Sequence, residues 1–472
     1  MKKHTLLMFM TVLLLSACVV GPNYEKPSLS FSDQWFSEPE QTTSFLDEIK
    51  TDWWRIFGDP QLEKYIETTV AQNNELEAAR AGVLRARALR REAIAPFYPS
   101  MDAELQRTRQ GTSGATSGTF SAGSRRTIYD GSLNASWEID LFGGTRRTDE
   151  AAQARLQGAL DERRGVLLAV LAETARNYYD VRGLQKRIAI TQKNIDVQEQ
   201  TYQLVENLAV VGEASEFDLS RARGQLQLNQ SRLPDLDADM KAGIYRLSVL
   251  LGQPPEALLK EMQTTKLLPA PPDVVPVGLR SDILRRRPDV RAAEQQLAAA
   301  VAEIGVATAE LFPQFFLTGS AGRSASVFSD LFDPISNTFS FGQLLRWPIF
   351  EGGAIRARIK VREAEAQQAV ALYEQAVLDS LADAESALIR YAHKLETRNR
   401  LQSAVESRQH AVRLSGALFN AGEENFLAVL DAERELIIAE DQLVVSETDT
   451  LLNLVSLYTA LGGGWEVFEE QP

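Results

Sequence analysis

The stretch GSLNASWEIDLF, residues 131–142, alternates between apolar and polar side chains with a period of two residues. The polar set is Ser132, Asn134, Ser136, Glu138 and Asp140, and apolar residues or glycine stand between them. This period predicts a β-strand with one apolar and one hydrated face. The sequence on both sides has the pattern of long helices instead, so the strand needs an explanation.

Three further segments alternate in the same way: FYPSMDAELQ (97–106), PQFFLTGSA (313–321) and TFSFGQLLRWPIF (338–350). Each is about long enough to cross a bilayer, which takes roughly 9–11 tilted residues. The segments form two pairs, joined by Gly/Ser-rich loops at 111–124 and 322–330, as expected for two hairpins. The alternative is a soluble β-sandwich, which requires more strands than the chain offers.

Most of the remaining chain is predicted to be long helix. No proline occurs between Pro99 and Pro234, or between Pro348 and Pro472. Apolar residues recur every seven positions in both regions, a pattern typical of coiled-coil packing. A helix from about 145 to 210 would be about 100 Å long at 1.5 Å per residue.

The two heptad series are 210 residues apart, which indicates an internal duplication. At this offset VGEASEFDLSRA (211–222) corresponds to AGEENFLAVLDA (421–432). Each segment predicts a tight turn followed by a helix, with Ser215 and Asn425 as the capping residues. Each half of the chain therefore reads as helix, hairpin, long helix, turn and helix.

The N-terminus MKKHTLLMFMTVLLLSAC has a basic start, an apolar run and small residues before Cys18. These features predict a secretory signal peptide that is not part of the fold. Leu15-Ser16-Ala17-Cys18 is similar to the lipobox of bacterial lipoproteins, and Cys18 is the single cysteine of the chain. We expect a covalent lipid on Cys18 and no other cofactor. The alternative is an ordinary signal peptide with an incidental cysteine.

The predicted organisation follows from these features. It comprises a lipoprotein signal (1–17), a lipidated extended segment (18–58), repeat 1 (59–252, with hairpin 97–142), a Pro-rich linker (253–281), repeat 2 (282–464, with hairpin 312–351) and a tail (465–472).

Composition and motifs exclude several classes of function. The formal net charge of −14 argues against nucleic acid as a partner. The sequence contains no nucleophile elbow, P-loop or dinucleotide fingerprint, so we expect no enzymatic activity. His393 and His410 have no acidic partners at metal-binding spacing, and we expect no metal site. No run of 18 apolar residues occurs, so a mature chain that crosses a membrane must do so as strands.

Four strands cannot close a barrel alone, and open sheet edges do not survive in lipid. Two copies give eight strands, whose side chains nearly fill the interior, whereas three copies give twelve strands and a lumen. Odd-numbered, apolar positions would then face lipid and even-numbered positions the lumen. The lumen acids would be Asp102, Glu104, Asp130, Glu138 and Asp140, against Arg346 alone, which predicts cation preference.

Several motifs together resemble those of the TolC-type outer-membrane efflux ducts, in particular the lipid-anchored OprM-like (NodT) branch. They are LSAC followed by VGPNYEKP (20–27), DWWRIFGDPQL (52–62), LRRRPDVRAAE (284–294), LDAER (430–434) and LYTALGGGW (457–465). The resemblance implies a mainly α-helical fold with a transmembrane β-barrel. It implies a homotrimer with a twelve-stranded barrel on a helical periplasmic tunnel. In the outer membrane this duct would serve a periplasmic adaptor and an inner-membrane transporter of the RND type in multidrug efflux.

The resemblance also assigns roles to the two turns. The adaptor-contact residues would be Gly212, Glu213, Ala214, Gly422, Glu423 and Glu424. The periplasmic gate would be formed by Leu427, Asp431 and Arg434, which share one helix face. The alternative for Asp431 and Arg434 is an ordinary solvated ion pair. Two other functions stay open: a duct for protein secretion or metal export, and a structural envelope lipoprotein.

Overall fold

The computed structural model describes residues 19–28, 32, 35–36, 43–44, 50–111, 125–272 and 274–469. Cys18 and the predicted signal peptide lie outside the described residues. The helices of more than three residues with α geometry are α1 (Pro60–Gln72), α2 (Asn74–Ile94), α3 (Gly144–Val210), α4 (Glu216–Gln230), α5 (Arg232–Leu250), α6 (Ile283–Arg286), α7 (Pro288–Ala309), α8 (Ala354–Asn420) and α9 (Phe426–Ala460). The strands are β1 (Thr43–Ser44), β2 (Ser100–Gly111), β3 (Arg125–Ile139), β4 (Val275–Pro276), β5 (Gln314–Ala325) and β6 (Asn337–Arg346).

The long helices confirm the duplication. Helices α3 and α8 each contain 67 residues. The first residue of α8 lies 210 positions after the first residue of α3, and the last residues are separated by the same number. At 1.5 Å per residue each is about 100 Å long. Within the described residues no helix combines the length and the apolar character needed to cross a membrane.

The four long strands form one antiparallel sheet in the order β2-β3-β5-β6. The two predicted hairpins are therefore joined through β3 and β5. The strands differ from the alternating segments at their ends: β2 begins after Pro99, and β6 ends before Trp347 and Pro348. Proline has no N–H for the ladder, which explains both limits.

The register places the polar residues of all four strands in common rows. In one row Asp102, Asn134, Ser320 and Ser340 lie opposite one another. The Asn134 amide donates to Asp102 Oδ2 over 3.1 Å, and Ser320 Oγ donates to Asn134 Oδ1 over 2.9 Å. The next row, on the opposite face, is Met101, Ala135, Gly319 and Phe341. Around these rows the sheet therefore has one polar and one apolar face, as the alternation predicts. Towards the loops, odd strand positions also carry charge, at Arg107, Arg109, Arg125 and Arg323.

The chain forms two compact units, and each takes segments from both sequence repeats. The first contains the described residues up to Ser28, together with Val83–Ala159 and Ala292–Glu374, and holds the sheet. The second contains the described residues of Leu29–Gly82, Leu160–Arg291 and Gln375–Pro472.

The core of the second unit contains the Trp-Trp and Gly-Gly-Gly motifs. Trp53 is fully buried, stacks on Tyr458 at 6.0 Å between ring centroids, and donates its indole N–H to the Gly463 carbonyl oxygen over 3.2 Å. Gly464 has φ of +125°, and a Cβ there would lie 2.9 Å from Trp53 Nε1. The motifs thus serve packing and the end of α9.

Helices α3 and α5 approach each other closely at Gly243. A Cβ at this position would lie 2.7 Å from Cγ2 of Val181, which is itself fully buried. We expect Gly243→Ala to lower the thermal midpoint of the folded protein, because overpacking costs about 1–3 kcal/mol. This loss would outweigh the gain of about 1 kcal/mol in helix propensity.

The matched control is the double variant Val181→Ala/Gly243→Ala, in which the added methyl group enters the space that the valine leaves. It should melt above either single variant, as followed by circular dichroism during heating. Additive losses in the double variant would contradict the close approach.

Candidate functional site: the tip turns and the polar face of the sheet

Two turns, 211–215 after α3 and 421–425 after α8, end these helices in the same way, and we call them the tip turns. Gly212 and Gly422 have φ of +80° and +73°. The N–H of the next residue, Glu213 or Glu423, donates back to the carbonyl oxygen of Leu208 or Leu418. This is the Schellman ending that favours glycine. A Cβ on either glycine would meet nothing within 4 Å, so both turns present open backbone.

Side-chain caps begin the two helices that follow the turns. Ser215 accepts the N–H of Asp218 over 3.2 Å, and the Asp218 carboxylate accepts the Ser215 N–H over 3.3 Å, which completes a capping box. Asn425 accepts the N–H of Ala428 over 3.1 Å. Both predicted caps are confirmed. They fix where each helix starts and therefore which face carries the predicted gate residues.

A cavity of about 390 Å³ lies between the two tip turns. Phe419 and Phe426 contact each other across it at 5.6 Å between ring centroids. The half-buried Leu427 also lines this cavity, together with Val205, Leu208 and Phe217 from the first repeat. Leu427 therefore lies where side chains of both repeats meet.

Asp431 is contacted by two arginines. Its Oδ1 lies 3.7 Å from Nη2 of Arg434 and 3.9 Å from Nη2 of Arg221 in α4. Arg434 also lies 3.6 Å from Glu435 in its own helix. Within one chain, Arg221 rather than Arg434 thus supplies the contact between helices.

Arg221 is not among the gate residues predicted from the sequence, although the duplication contains the signal. At the offset of 210 residues, Arg221 occupies the position of Asp431. The duplicated turns therefore bring opposite charges to equivalent sites. All three side chains are at least a third exposed, so each pair contributes only tenths of a kcal/mol, ~0.2–1. Such pairs bias a conformation and do not lock it.

Glu433 lies two residues beyond Asp431 but is buried, with 8% exposure. Thr201 of α3 donates to its Oε1 over 3.1 Å, and its Oε2 has no hydrogen-bond partner among the described residues. Burial raises the pKa of this carboxyl above its usual range, partly offset by the Thr201 hydrogen bond. The folded state therefore binds the proton more tightly, and the stability of this packing falls as pH rises above the ordinary glutamate pKa.

On the sheet, the predicted lumen acids do not all lie on strands. Asp102, Glu104, Asp130 and Glu138 occupy even positions of β2 and β3. Asp140 follows the end of β3, and its carboxylate accepts the backbone N–H groups of Thr145 and Arg146 and pairs with the Arg146 side chain over 3.2 Å. Asp140 therefore caps α3, because free N–H groups at a helix start attract a carboxylate.

Two further observations bear on the predicted sites. Strand β3 begins at Arg125, so Arg126 is a second cation at an even strand position besides Arg346. The part of the chain that the structure describes contains no group of three or more His, Cys, Asp or Glu side chains placed to hold a metal ion.

A sheet with one polar and one apolar face, together with long paired helices that end in tip turns, is characteristic of the ducts of the bacterial outer membrane. The chain belongs to the outer membrane efflux protein family, whose sequence profile matches residues 65–253 and 279–463. The predicted fold class, mainly α-helical with two barrel hairpins per chain, is confirmed.

Individual relatives match over nearly the whole chain. Nodulation protein T of Rhizobium leguminosarum bv. trifolii is 32% identical over 96% of both chains. Outer membrane protein OprJ of Pseudomonas aeruginosa is 30% identical over 96% of this chain and 94% of its own length. The solved structure of the outer-membrane channel OprN has a TM-score of 0.90 and 32% identity, over 95% of this chain and 100% of that chain.

The solved structure of the open state of the MtrE outer membrane channel of Neisseria gonorrhoeae is also similar to this chain. It has a TM-score of 0.82 and 27% identity, over 95% of this chain and 99% of that chain. The chain is an efflux channel of the outer membrane and not an enzyme, as the sequence predicts.

Removing the ion pair between Arg221 of α4 and Asp431 of α9 tests the role of Arg221. We expect Arg221→Ala and Asp431→Ala each to raise the conductance of channels reconstituted in planar bilayers, because each variant removes the ion pair between α4 and α9. The double variant should conduct no more than the single variants, since both remove one interaction. The charge swap Arg221→Asp/Asp431→Arg should restore the low conductance.

Arg223→Ala is the matched control, because Arg223 is on the same helix but donates to Tyr202 over 2.9 Å. If Arg221→Ala and Arg223→Ala conduct alike, the pair with Asp431 has no part in gating.

Proposed function

We propose that three copies of this chain form a lipid-anchored exit duct of a tripartite efflux pump. The observation that carries the proposal is the four-stranded sheet, which has one polar face and in which, within the described residues, β2 and β6 each pair on only one side. The duct is passive: an inner-membrane transporter of the RND type supplies the energy, and a periplasmic adaptor connects the two.

The number of copies follows from the two outer strands. β2 has 12 residues and β6 has 10, and unpaired backbone groups in lipid each cost several kcal/mol, ~4–8 on the hydrocarbon scale. Pairing β2 of one copy with β6 of the next satisfies them. Three copies give twelve strands, which leave a lumen, whereas eight strands leave little room.

The apolar face of the sheet supports contact with lipid. Leu105, Phe339 and Phe341 lie at odd positions and are each at least 85% exposed in the single chain. Exposed aromatic and aliphatic side chains in such a band suit the outer surface of a membrane barrel. The polar row that includes Asp102 and Asn134 would then line the lumen.

The tip turns are the proposed adaptor site. Their open glycines allow close approach of a partner's helical hairpin, and the nearby carboxylates of Glu213, Glu423 and Glu424 favour a partner with basic or amide groups. Beside them, Leu427 and Asp431 of three copies would converge to form a constriction. Three carboxylates repel, so packing and pairs with Arg221 and Arg434 would hold the closed state until the adaptor replaces them.

The cargo is proposed to be drugs of several classes, selected by the transporter. Relatives with near full-length matches carry names that specify different cargos: toluene efflux for TtgF and pyoverdine export for OpmQ, both of Pseudomonas putida. This difference in cargo among similar ducts supports selection by the transporter. Cation efflux is the second candidate, favoured by 29% identity to CusC of Escherichia coli.

A deletion strain separates these functions. Loss of the gene should lower resistance to several unrelated antibiotics, and a plasmid copy should restore it. The adaptor and an RND-type transporter should co-purify with the protein after crosslinking in cells. Sensitivity confined to one metal ion would instead favour cation efflux.

Lipidation of Cys18 is part of the proposal, supported by the lipobox. The covalent lipid would tether the mature chain to the inner leaflet of the outer membrane. Intact mass spectrometry of the mature protein should give a chain that starts at Cys18 and carries acyl groups. A mature chain with an unmodified cysteine would contradict this part.

Cation preference tests which face lines the lumen. Under a salt gradient the reversal potential of single channels should be cation-selective, because three copies of Asp102 and Glu104 make the lumen negative. The double variant Asp102→Asn/Glu104→Gln should move the reversal potential toward zero. The control Asp333→Asn, exposed between β5 and β6, should leave it unchanged. An anion-selective parent channel would overturn the assignment of faces.

Adaptor docking is tested at the two glycines with positive φ. We expect Gly212→Trp/Gly422→Trp to abolish efflux and adaptor crosslinking, because bulk at the turns blocks close approach. Gly212→Ala/Gly422→Ala has the same backbone strain without the bulk and should retain most activity. Trimer yield in the membrane, measured on native gels, should be equal for both. Normal adaptor crosslinking in the tryptophan variant would place the contact elsewhere.

A further inference from the structure

Arg147 is a buried cation at an unfavourable place. It is the fourth residue of α3 and is only 3% exposed. The start of a helix carries partial positive charge, so an arginine there is destabilising unless acceptors surround it. A buried guanidinium also needs partners for its five N–H donors. The side chain therefore must be held by specific acceptors.

Those acceptors come from the first described residues of the mature chain. The guanidinium donates to the carbonyl oxygen of Val20 over 3.1 Å, to that of Gly21 over 3.2 Å and to Asn23 Oδ1 over 2.8 Å. Glu150 completes the set at 2.6 Å from Nη1. Arg147 thus holds residues 20–23 through two backbone carbonyl groups and through one side chain, that of Asn23.

Glycines make room for this segment on both sides. Gly21 has φ of +87°, and a Cβ there would lie 2.4 Å from the Cα of Gly305 in α7. A Cβ on Gly305 would lie 2.7 Å from Arg147 Cγ, and one on Gly143 would lie 2.9 Å from Val19. The packing leaves no space for side chains at these three positions.

Hydrogen bonds and an ion pair hold the segment at both ends. Val20 N–H donates to the carbonyl oxygen of Phe142, at the junction between β3 and α3. Further along, Tyr24 and Lys26 both bond to Glu294 of α7, at 3.4 and 2.6 Å. The segment 19–26 is therefore fastened beside the end of the sheet, starting one residue after Cys18.

The second repeat offers an internal comparison. At the offset of 210 residues, Arg147 corresponds to Ala357 near the start of α8, which is exposed. The arginine is thus present only in the repeat on which the N-terminal segment docks. Its presence correlates with the docked segment and not with the general need to begin a long helix after a strand.

We propose that Arg147 is the positioning residue of the acyl anchor. It locks residues 19–23 against the junction of β3 and α3, so that the lipid on Cys18 enters the membrane at a fixed place beside the sheet. Anchor and sheet then reach the membrane as one unit. This inference rests on the proposed lipidation of Cys18.

The test uses a spin label at residue 22 in the full-length protein, reconstituted in liposomes. Pro22→Cys supplies the thiol, because Cys18 is consumed by its thioether to the lipid. We expect an immobile label at one depth, read from its accessibility to oxygen and to a nickel chelate. Arg147→Met should make the label several-fold more mobile and spread its depth, with lipid mass unchanged.

Arg356→Met, exposed in the first turn of α8, is the matched control and should leave the label immobile. Asn23→Ala removes a single acceptor and should give an intermediate mobility if Arg147→Met does not fold. An immobile label in Arg147→Met or Asn23→Ala would overturn the proposal. Parent protein without acyl mass would refute the lipid anchor, while the label would still report whether Arg147 holds the segment.

Discussion

The structure depends on one constraint: the two outer strands of the sheet cannot stay unpaired in lipid. In the part of the chain that the structure describes, each copy contributes β2, β3, β5 and β6 to this sheet, and the outward N–H and C=O groups of β2 and β6 need partners. Association of copies is therefore a condition for insertion. The polar row from Asp102 to Ser340 then acquires a function, because only a closed sheet can separate it from lipid.

The duplication explains most of the architecture. It produces two helices of equal length, two tip turns with glycine at positive φ, and two capped helices after them. It also produces two equivalent hydrogen bonds at the sheet. The indole N–H group of Trp137 donates to the carbonyl oxygen of Phe97, and that of Trp347 donates to the carbonyl oxygen of Leu311. The functional differences arise where the two sequence repeats differ. Arg221 faces Asp431, and Arg147 has no counterpart at Ala357.

Much of this could be predicted from the sequence, because period-2 and period-7 patterns report directly which faces are buried. The strands, their polar face and the long helices followed in this way, and the caps at Ser215 and Asn425 followed from the residue types at the two turns. Pairwise contacts could not be predicted. Asp140 continues the alternation but leaves the strand, since its carboxylate is recruited by the free N–H groups of α3. Arg221 and Arg147 acquire their roles only from what packing brings beside them.

The number of copies in the assembly is inferred from the need to close the barrel and not from the sequence pattern. Native mass spectrometry of the detergent-extracted complex measures that number most directly. The account predicts a single assembly with three times the mass of the lipidated chain, stable when the adaptor is absent. A folded monomer, or a dimer with eight strands, would contradict it, because β2 and β6 would then be unpaired or the lumen filled.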